Sequence, residues 1–195
     1  MLRLIRTSKM GPKPNFSDAE VYWAMYLMSR GKRICRKDLA EQLGVGEGTV
    51  RTIISILHEA DVIDTYQTGN VLSSTGRALM SALPMEPVDV NVPNLSVGPV
   101  RQALHVRGAA GNIWDGWVQR DTGIKVGGNG CTTLVDTDGH LIMPPSWDLD
   151  TGNPDEATAI RKVLDLREGD VLVIGSGNNV IDARRVAITV ALSIV

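Results

Sequence analysis

The chain has 195 residues, of which 43% are hydrophobic and 22% are charged, and its formal net charge is −2. This length suits one large domain or two small ones. No window contains the roughly 18 to 20 apolar residues that a transmembrane helix needs, and residues 1–15 are basic but lack the apolar core of a signal peptide. We therefore predict a cytoplasmic protein with no membrane partner, in which residues 1–15 form a short flexible arm.

The small net charge conceals a difference between the two halves. Residues 1–84 carry 11 Lys and Arg against 8 Asp and Glu, whereas residues 85–195 carry 9 against 14. A basic half joined to an acidic half is typical of a nucleic-acid reader attached to another domain, although ordinary surface scatter also produces such an imbalance. Cys35 and Cys131 match neither a zinc spacing nor a disulfide framework, which fits a reducing compartment.

The first predicted helix begins at Ser17. The segment Ser17-Asp-Ala-Glu20 has the Ser-x-x-Glu form of a capping box, in which two side chains satisfy free backbone donors. Apolar residues then recur at the spacing of one helix face, at Val21, Ala24, Met25 and Met28. Gly31 ends this helix, and residues 33–35 could form a small strand.

Two further helices follow with a tight turn between them. One runs from about residue 36 to 43 and ends at Gly44, where glycine supplies the positive φ of a helix end. The next starts near residue 46 or 47 and buries Val50, Ile53, Ile54 and Leu57. A small Ala40 before the turn, with apolar residues six and nine positions after Gly44, resembles the helix-turn-helix motif of transcription factors over about 22 residues.

A β-hairpin and a closing helix are predicted next. Residues 62–66 and 71–73 are strand-like and flank the turn Gln67–Asn70. The closing helix spans residues 74–83, with Ala78, Leu79, Ala82 and Leu83 facing inward. The string VLSSTGRALM resembles the exit from the wing in many prokaryotic winged-helix regulators. This resemblance covers residues 16–84 and implies a winged helix DNA-binding domain.

The outward residues of this domain carry the predicted DNA contacts. Short hydroxyl side chains and one arginine on the third helix can approach base edges and phosphates in the major groove. The basic run between the first two helices is suited to phosphates, and the wing to the minor groove or phosphates. A solvated charged face, or a winged helix that docks on a protein, remains an alternative. The predicted DNA-binding residues are Arg33, Arg36, Lys37, Gly48, Thr49, Arg51, Thr52, Ser55, Gln67 and Asn70.

Residues 85–99 are predicted to be a linker. Four prolines lie at positions 84, 87, 93 and 99, and proline removes backbone donors and resists helix formation. We place the domain boundary near residue 86. Because Val88, Val90 and Val92 alternate with polar residues, part of this segment could also form an edge strand of the second domain.

The second domain, residues 100–195, is predicted to be α+β. Strands are expected at 100–106, 131–135, 140–143 and 171–174, with Asp138-Gly139 as a hairpin turn. Helices are expected at 112–126 and 154–166, and the last segment favours helix although its Val and Ile content leaves strand open. The order β-α-β-β-α-β plus a terminal helix matches a ferredoxin-like sandwich.

Resemblance supplies the expected role of this second domain. Bacterial and archaeal regulators use small domains of this order to dimerise and to bind metabolites, which is an analogy of fold. The whole chain also resembles archaeal winged-helix proteins whose C-terminal domain has no assigned function. The matching segments are QRDTGIKVGGNGCTTLVDTDGHLIMPP and EGDVLVIGSGNN. The resemblance implies an archaeal origin and the two-domain architecture.

Two groups of residues are candidate contacts for a small-molecule effector. Gly175, Ser176, Gly177 and Asn178 follow a buried strand, where backbone N–H groups can hold an anion, and a structural turn explains them equally well. Arg120, Asp121 and Lys125 lie on the polar side of a predicted helix and could orient a carboxylate, or could be a solvated face. Trp114 and Trp117 are expected to be core or dimer contacts.

Metal, cofactor and catalytic sites are not predicted. The acidic hairpin from Asp136 to His140 is explained by its turn, and no other histidine pattern supports a metal. No nucleophile elbow or oriented Cys–His pair is present, so we expect no enzyme. The enzymatic alternative, a winged helix fused to a small metabolite- or nucleotide-binding domain as in archaeal riboflavin kinases, is disfavoured by the two long helices.

These observations together predict a DNA-binding transcriptional regulator that binds double-stranded DNA. We expect a homodimer, because two half-sites about one helical turn apart give such proteins their usual affinity. An effector bound to the second domain would change the spacing of the two recognition helices.

Overall fold

The structure, a computed structural model, describes residues 15–195. They form two compact units, and the chain passes from one to the other between Leu83 and Pro84. The predicted basic arm lies outside the described residues except for Asn15. No helix in the described part of the chain combines the length and the apolar character that a membrane crossing requires.

The first unit, residues 15–83, has the arrangement of a winged helix. Three helices are followed by an antiparallel hairpin and a fourth helix, in the predicted order. The elements are α1 (Asp18–Ser29), α2 (Arg36–Leu43), α3 (Glu47–Glu59), β1 (Ile63–Tyr66), β2 (Gly69–Leu72) and α4 (Ser74–Ala82).

The start of α1 and the turn after α2 form as predicted. Ser17 accepts a hydrogen bond from the Ala19 N–H, while the Glu20 carboxylate accepts from the Ser17 N–H, which completes the capping box. Gly44 ends α2 with φ +66°, in the left-handed region that glycine adopts without strain. The apolar face of α1 is buried, and α3 buries Val50, Ile53 and Leu57.

The inward face predicted for the closing helix is wrong for three of its four residues, whereas Leu83, directly after the helix, is buried as predicted. Within α4 the buried residue is Gly76, while Ala78, Leu79 and Ala82 are exposed. A Cβ added to Gly76 would lie 2.0 Å from the Val62 carbonyl oxygen. The first turn of the helix therefore lies close to Val62 and to Leu72 of β2 through its glycine, and α4 also contacts α1.

The second unit, residues 84–195, is built around a six-stranded antiparallel sheet of order β3-β4-β8-β5-β6-β7. The strands are β3 (Met85–Val88), β4 (Val100–Val106), β5 (Gly130–Thr137), β6 (His140–Met143), β7 (Trp147–Asp148) and β8 (Val171–Gly177). The helices are α5 (Trp117–Lys125), α6 (Leu149–Gly152), α7 (Pro154–Val163) and α8 (Val180–Ile194). The α+β class is confirmed, and the last segment is a helix.

The sheet departs from the ferredoxin-like order in the position of its last strand and in the placement of its helices. A ferredoxin-like sheet places its last strand at an edge and its helices on one face, whereas here β8 is central. Leu172 and Ile174 join an apolar cluster with Ile160 of α7, while Gly175 and Gly177 lie against α8 on the opposite face. Every residue of β8 is buried. Such a strand needs a paired strand along each edge and a packed layer on each face, and both conditions are met in the centre of this sheet.

Residues 85–99 belong to this unit and are not a linker. Strand β3 pairs with β4 along the sheet edge, where the missing N–H of Pro87 is tolerated. Val90, Val92 and Leu95 are buried in the same apolar cluster as Ile174. The alternating valines, which indicated part of the second domain, therefore predict this segment better than the prolines, which indicated a linker.

The helix predicted over residues 112–126 is shorter in the structure. Gly116 has φ +75° and immediately precedes α5, which runs only from Trp117 to Lys125. Trp114 is consequently outside the helix with 91% of its surface exposed, and Trp117 is 57% exposed. Neither tryptophan belongs to the core of the described chain.

Candidate nucleic-acid interface

The exposed face of α3 carries most of the predicted base-reading residues. Burial of Val50 and Ile53 fixes the rotation of this helix, so that Gly48, Arg51 and Thr52 are exposed. Ser55 is exposed one turn later, and Thr49 is half-buried. The outward orientation predicted for this face agrees with the side-chain exposure, and its contact with DNA stays a prediction.

The two hydroxyl groups on this face already donate their protons within the helix. The Thr52 hydroxyl donates to the Gly48 carbonyl oxygen at 3.2 Å, and the Ser55 hydroxyl donates to the Glu59 carboxylate at 2.8 Å. A hydroxyl oxygen keeps lone pairs after its proton is used. Both groups are thus arranged to accept hydrogen bonds from an incoming donor.

A cleft of about 330 Å³ separates α3 from the hairpin, and we call it the wing cleft. Arg36 from α2 and Arg51 from α3 both line it, so cations from two helices meet beside the hairpin. Ile54, predicted to be buried, is half-buried and forms part of the wall. The lining residues are Cys35, Arg36, Arg51, Ile54, Thr65, Tyr66, Gln67, Gly69 and Asn70.

Arg33 is fixed at the tip of the hairpin by contacts that the sequence did not reveal. Its guanidinium lies 4.0 Å from the centre of the Tyr66 ring and donates to the Thr68 hydroxyl at 2.8 Å. A stacked arginine is more ordered than a free one and still presents unused N–H donors. The sequence signal for this contact was Tyr66, which lies directly before the turn of the hairpin with its side chain exposed.

Asn70 is not an exposed contact, which corrects that prediction. Its side chain is 3% exposed, accepts from the Thr65 hydroxyl at 3.0 Å and donates to the Ile34 carbonyl oxygen at 3.3 Å. Ile34 also bridges to Asn70 through the backbone, so the predicted strand at 33–35 exists as this single bridge. Lys37 and Gln67 are exposed as expected.

Acidic residues lie among the cations of this surface. Glu47 is exposed in the first turn of α3, and Asp64 is exposed on β1. The positive end of the helix dipole favours an acidic group at Glu47, but the same carboxylate would repel a phosphate placed there. The surface is therefore of mixed charge rather than uniformly basic.

The glycine-rich segment of the second unit is a strand, not an anion-binding loop. Gly175, Ser176 and Gly177 are buried in β8, and a Cβ at Gly175 would lie 2.4 Å from backbone atoms of α8. Asn179 caps the start of α8 by accepting from two backbone N–H groups. Asn178 is exposed. The glycines thus serve close packing of helix on strand.

The predicted carboxylate-binding group on α5 is a solvent-exposed face. Arg120 and Asp121 are half-exposed and form an ion pair at 3.7 Å, and Lys125 is exposed, so no buried polar pair exists there. Arg120 also lies 5.0 Å from the centre of the Trp117 ring. Arg120 and Trp117 both border a second cleft, of about 270 Å³, which we call the α5 cleft. It is lined by Val97, Asp115, Gly116, Trp117, Arg120, Cys131, Thr132, Thr133, Met143, Pro144 and Pro145.

His140, Asp148 and Asp150 bring three possible metal-ligand atoms within 4.8 Å of one another. Asp150 is already bound by the Arg161 guanidinium and by the Leu141 N–H at 2.9 Å. These contacts hold the pKa of Asp150 below its usual value although burial acts to raise it. The group is accounted for by its own hydrogen bonds and ion pairs.

Three similarities to known proteins cover most of the chain. Residues 97–194 match a family model described as "Domain of unknown function (DUF4443)", and residues 21–78 match one described as "PH0730-like, N-terminal domain". The solved structure "Hypothetical protein PH0730 from Pyrococcus horikoshii OT3" is similar with a TM-score of 0.72 and 26% identity, covering 92% of this chain and 93% of that chain. No curated protein matches. The archaeal source of that structure agrees with the resemblance noted from the sequence.

Proposed function

We propose that this chain, which belongs to the family described as a domain of unknown function (DUF4443), is a cytoplasmic transcriptional regulator that binds double-stranded DNA as a homodimer. The observation that carries the proposal is the meeting of Arg36 and Arg51 in the wing cleft, beside a rigidly oriented polar face of α3. A DNA backbone needs cations supplied from more than one element in order to fix the position of a reading helix.

In this proposal α3 enters the major groove. Gly48 lets the helix approach the backbone closely, and Arg51 and Arg36 bind phosphates on either side of the wing cleft. Because the Thr52 and Ser55 hydroxyls already donate within the helix, they would accept hydrogen bonds from exocyclic amino groups of cytosine or adenine. Because these two hydroxyls act as acceptors, the proposal predicts that they contact bases that present a hydrogen-bond donor in the major groove.

The hairpin would contact the backbone or the minor groove beside the recognition helix. The guanidinium of Arg33, stacked on Tyr66 and bound to Thr68, would present its remaining N–H groups there. Gln67 at the turn is exposed and supplies a second polar group. A pre-ordered arginine loses little conformational entropy when it binds, which favours a contact at this position.

The second unit would hold two such reading surfaces at two half-sites. An effector that binds this unit would act by changing their spacing, and the surface that joins the two subunits is considered below. This division of labour fits the basic excess in residues 1–84 and the acidic excess in residues 85–195.

The test is salt-dependent duplex binding by the full chain. Fluorescence anisotropy with genomic fragments selected by the wild-type protein should show an affinity that falls steeply with salt. Arg51→Ala and Arg36→Ala should each lower affinity about 10-fold and reduce the slope of log K against log salt by about one. Lys162→Ala, which removes an exposed cation in α7, is the matched control and should leave both unchanged. A wild-type chain with no duplex affinity, or arginine variants with an unaltered slope, would overturn the proposal and favour a protein-docking role.

A further inference from the structure

An exposed apolar surface lies along the segment that enters α5. Trp114 is 91% exposed, Val118 67% and Trp117 57%, and Ile124 is exposed near the end of the helix. Large contiguous apolar surfaces are unusual on a protein that has no partner. Trp114 is the extreme case, because an indole left almost entirely in water contributes nothing to the stability of its own chain.

The α5 cleft lies immediately next to this tryptophan in the chain. Its walls are largely apolar and include Val97, Trp117 and the Pro144–Pro145 segment. The Thr132 hydroxyl, one of the lining groups, already donates to the Leu95 carbonyl oxygen at 2.7 Å. Asp115 accepts from the Trp117 N–H at 3.0 Å. The cleft therefore favours a flat apolar occupant over one that depends on hydrogen bonds.

We propose that the occupant is a second copy of this chain, and that Trp114 of each subunit enters the α5 cleft of the other. The inference deepens the proposed function, since it names the surface of the homodimer on which that function rests. The chain presents an aromatic group and a cleft of about 270 Å³ within a few residues of each other. A reciprocal exchange of this kind is the geometry of a twofold interface, in which one surface patch is self-complementary.

The available area approaches what a stable dimer needs. The exposed parts of Trp114, Trp117, Val118, Ile124 and Val97 amount to roughly 600 Å² per subunit, given that a large aromatic side chain buries 150–250 Å². A standard specific interface buries about 800 Å² per partner. The remaining area would come from the prolines of the cleft wall and from the polar rim.

Charges on the same helix are compatible with self-association. Arg120 and Asp121 form a long, half-exposed ion pair within one subunit. Because this pair carries one charge of each sign, two copies related by a twofold axis can be arranged so that the arginine of one faces the aspartate of the other. An interface carrying charge of one sign alone could not do this.

The experiment measures the mass of the full chain in solution without DNA. Light scattering coupled to size exclusion, from about 1 to 100 μM, should give twice the 21.0 kDa chain mass for the wild type. Trp114→Ala should raise the dimer dissociation constant at least 100-fold, and Trp114→Phe should raise it less. Val97→Trp, which fills the cleft from within and retains Trp114, should also give a monomer. Val163→Ala, at an exposed apolar residue of α7, is the matched control and should remain dimeric.

Three outcomes would overturn the inference. The first is a wild-type chain that is monomeric throughout this range. If added indole also binds this monomer and quenches its fluorescence, and Trp117→Phe abolishes the quenching, the α5 cleft binds an aromatic ligand instead of a second chain. The second is a dimer that survives both Trp114→Ala and Val97→Trp. The third is a control variant that dissociates as readily as Trp114→Ala. Because no DNA is present, failure of the DNA-binding proposal would leave these measurements unaffected.

Discussion

The wing cleft and the α5 cleft are similar in size but differ in what they can bind. The wing cleft, about 330 Å³, is lined by Arg36 and Arg51 with amide and hydroxyl side chains beside them. The α5 cleft, about 270 Å³, has aliphatic and aromatic walls with Arg120 at its edge. Their volumes do not distinguish them, whereas the chemistry of the lining suits a polyanion in the first and an indole ring in the second.

The contrast also separates two kinds of energetics. Contacts at the wing cleft would depend on counterion release and weaken as salt is added. Contacts at the α5 cleft would come from burying apolar surface, which salt affects little. The first and the last of the following changes each act on one of these two clefts, whereas the second changes the stability of the unit that carries the α5 cleft.

The largest expected effect is on binding to a duplex that carries two half-sites. Trp114→Ala should weaken that binding by about 100-fold or more, because two linked reading surfaces gain effective concentration that a monomer lacks. The same variant should bind a duplex with one half-site as well as the wild-type subunit does. Anisotropy titrations at one salt concentration with both duplexes, taken from the selected genomic fragments, measure the difference.

Val163→Ala is the control for this prediction and should retain the two-site affinity. If Trp114→Ala instead weakened both duplexes equally, Trp114 would contribute to DNA contact or to folding, and the separation between the two clefts would be lost.

The next effect concerns Asp170, which stabilises the second unit. This buried carboxylate accepts from the His105 ring at 2.8 Å, the Gly108 N–H at 2.9 Å and the Arg167 N–H at 3.1 Å. Burial acts to raise the pKa of Asp170, but these hydrogen bonds outweigh it and the pKa lies below its usual value. The ionised form is therefore favoured more in the folded than in the unfolded chain, and its stabilisation is lost as pH falls through the folded pKa.

Asp170→Asn should accordingly lower hydrogen-exchange protection in β8 by about 2 kcal/mol at pH 7, since buried donors lose a charged acceptor. The difference from wild type should shrink as pH falls below about 4, where the carboxyl of the unfolded chain begins to bind a proton, and should vanish once the native carboxylate, with its lower pKa, is protonated as well. Mass-spectrometric exchange, corrected for intrinsic rates, resolves this, with α3 amides as the internal reference. A pH-independent difference would show that the carboxylate charge is not what matters.

The first unit was predictable because each of its elements is specified locally. The Ser17–Glu20 capping box, Gly44 and the apolar spacing of α3 set helix starts, ends and rotation, and the exposed face of α3 follows from them. What escaped prediction depended on contacts distant in sequence. Asn70 is buried because it bonds Ile34, 36 residues earlier, and Arg33 is fixed by Tyr66.

The second unit shows the limit of element order as a guide. The strands and helices were mostly recognised, but the central position of β8 depends on which strands pair, and pairing is non-local. A usable signal was present, because Val171–Ile174 is apolar without alternation and so requires burial on both faces. The small residues Gly175 and Gly177, named as candidate ligand contacts or a structural turn, instead permit the close approach of α8 to the same strand.

The smallest effect tests whether the start of α3 lies near phosphate. Glu47→Gln removes an exposed negative charge from the first turn of this helix. A like charge a few ångströms from a phosphate costs about 1 kcal/mol in water, so duplex affinity should rise about three- to five-fold at low salt. The gain should fade as salt shortens the screening length.

Asp155→Asn makes the same change of charge in the first turn of α7 and is the matched control. Equal gains in duplex affinity from the two variants would reflect net charge alone. No gain from Glu47→Gln would mean that the start of α3 does not lie near a phosphate, so that the arginines of the wing cleft alone would position the helix.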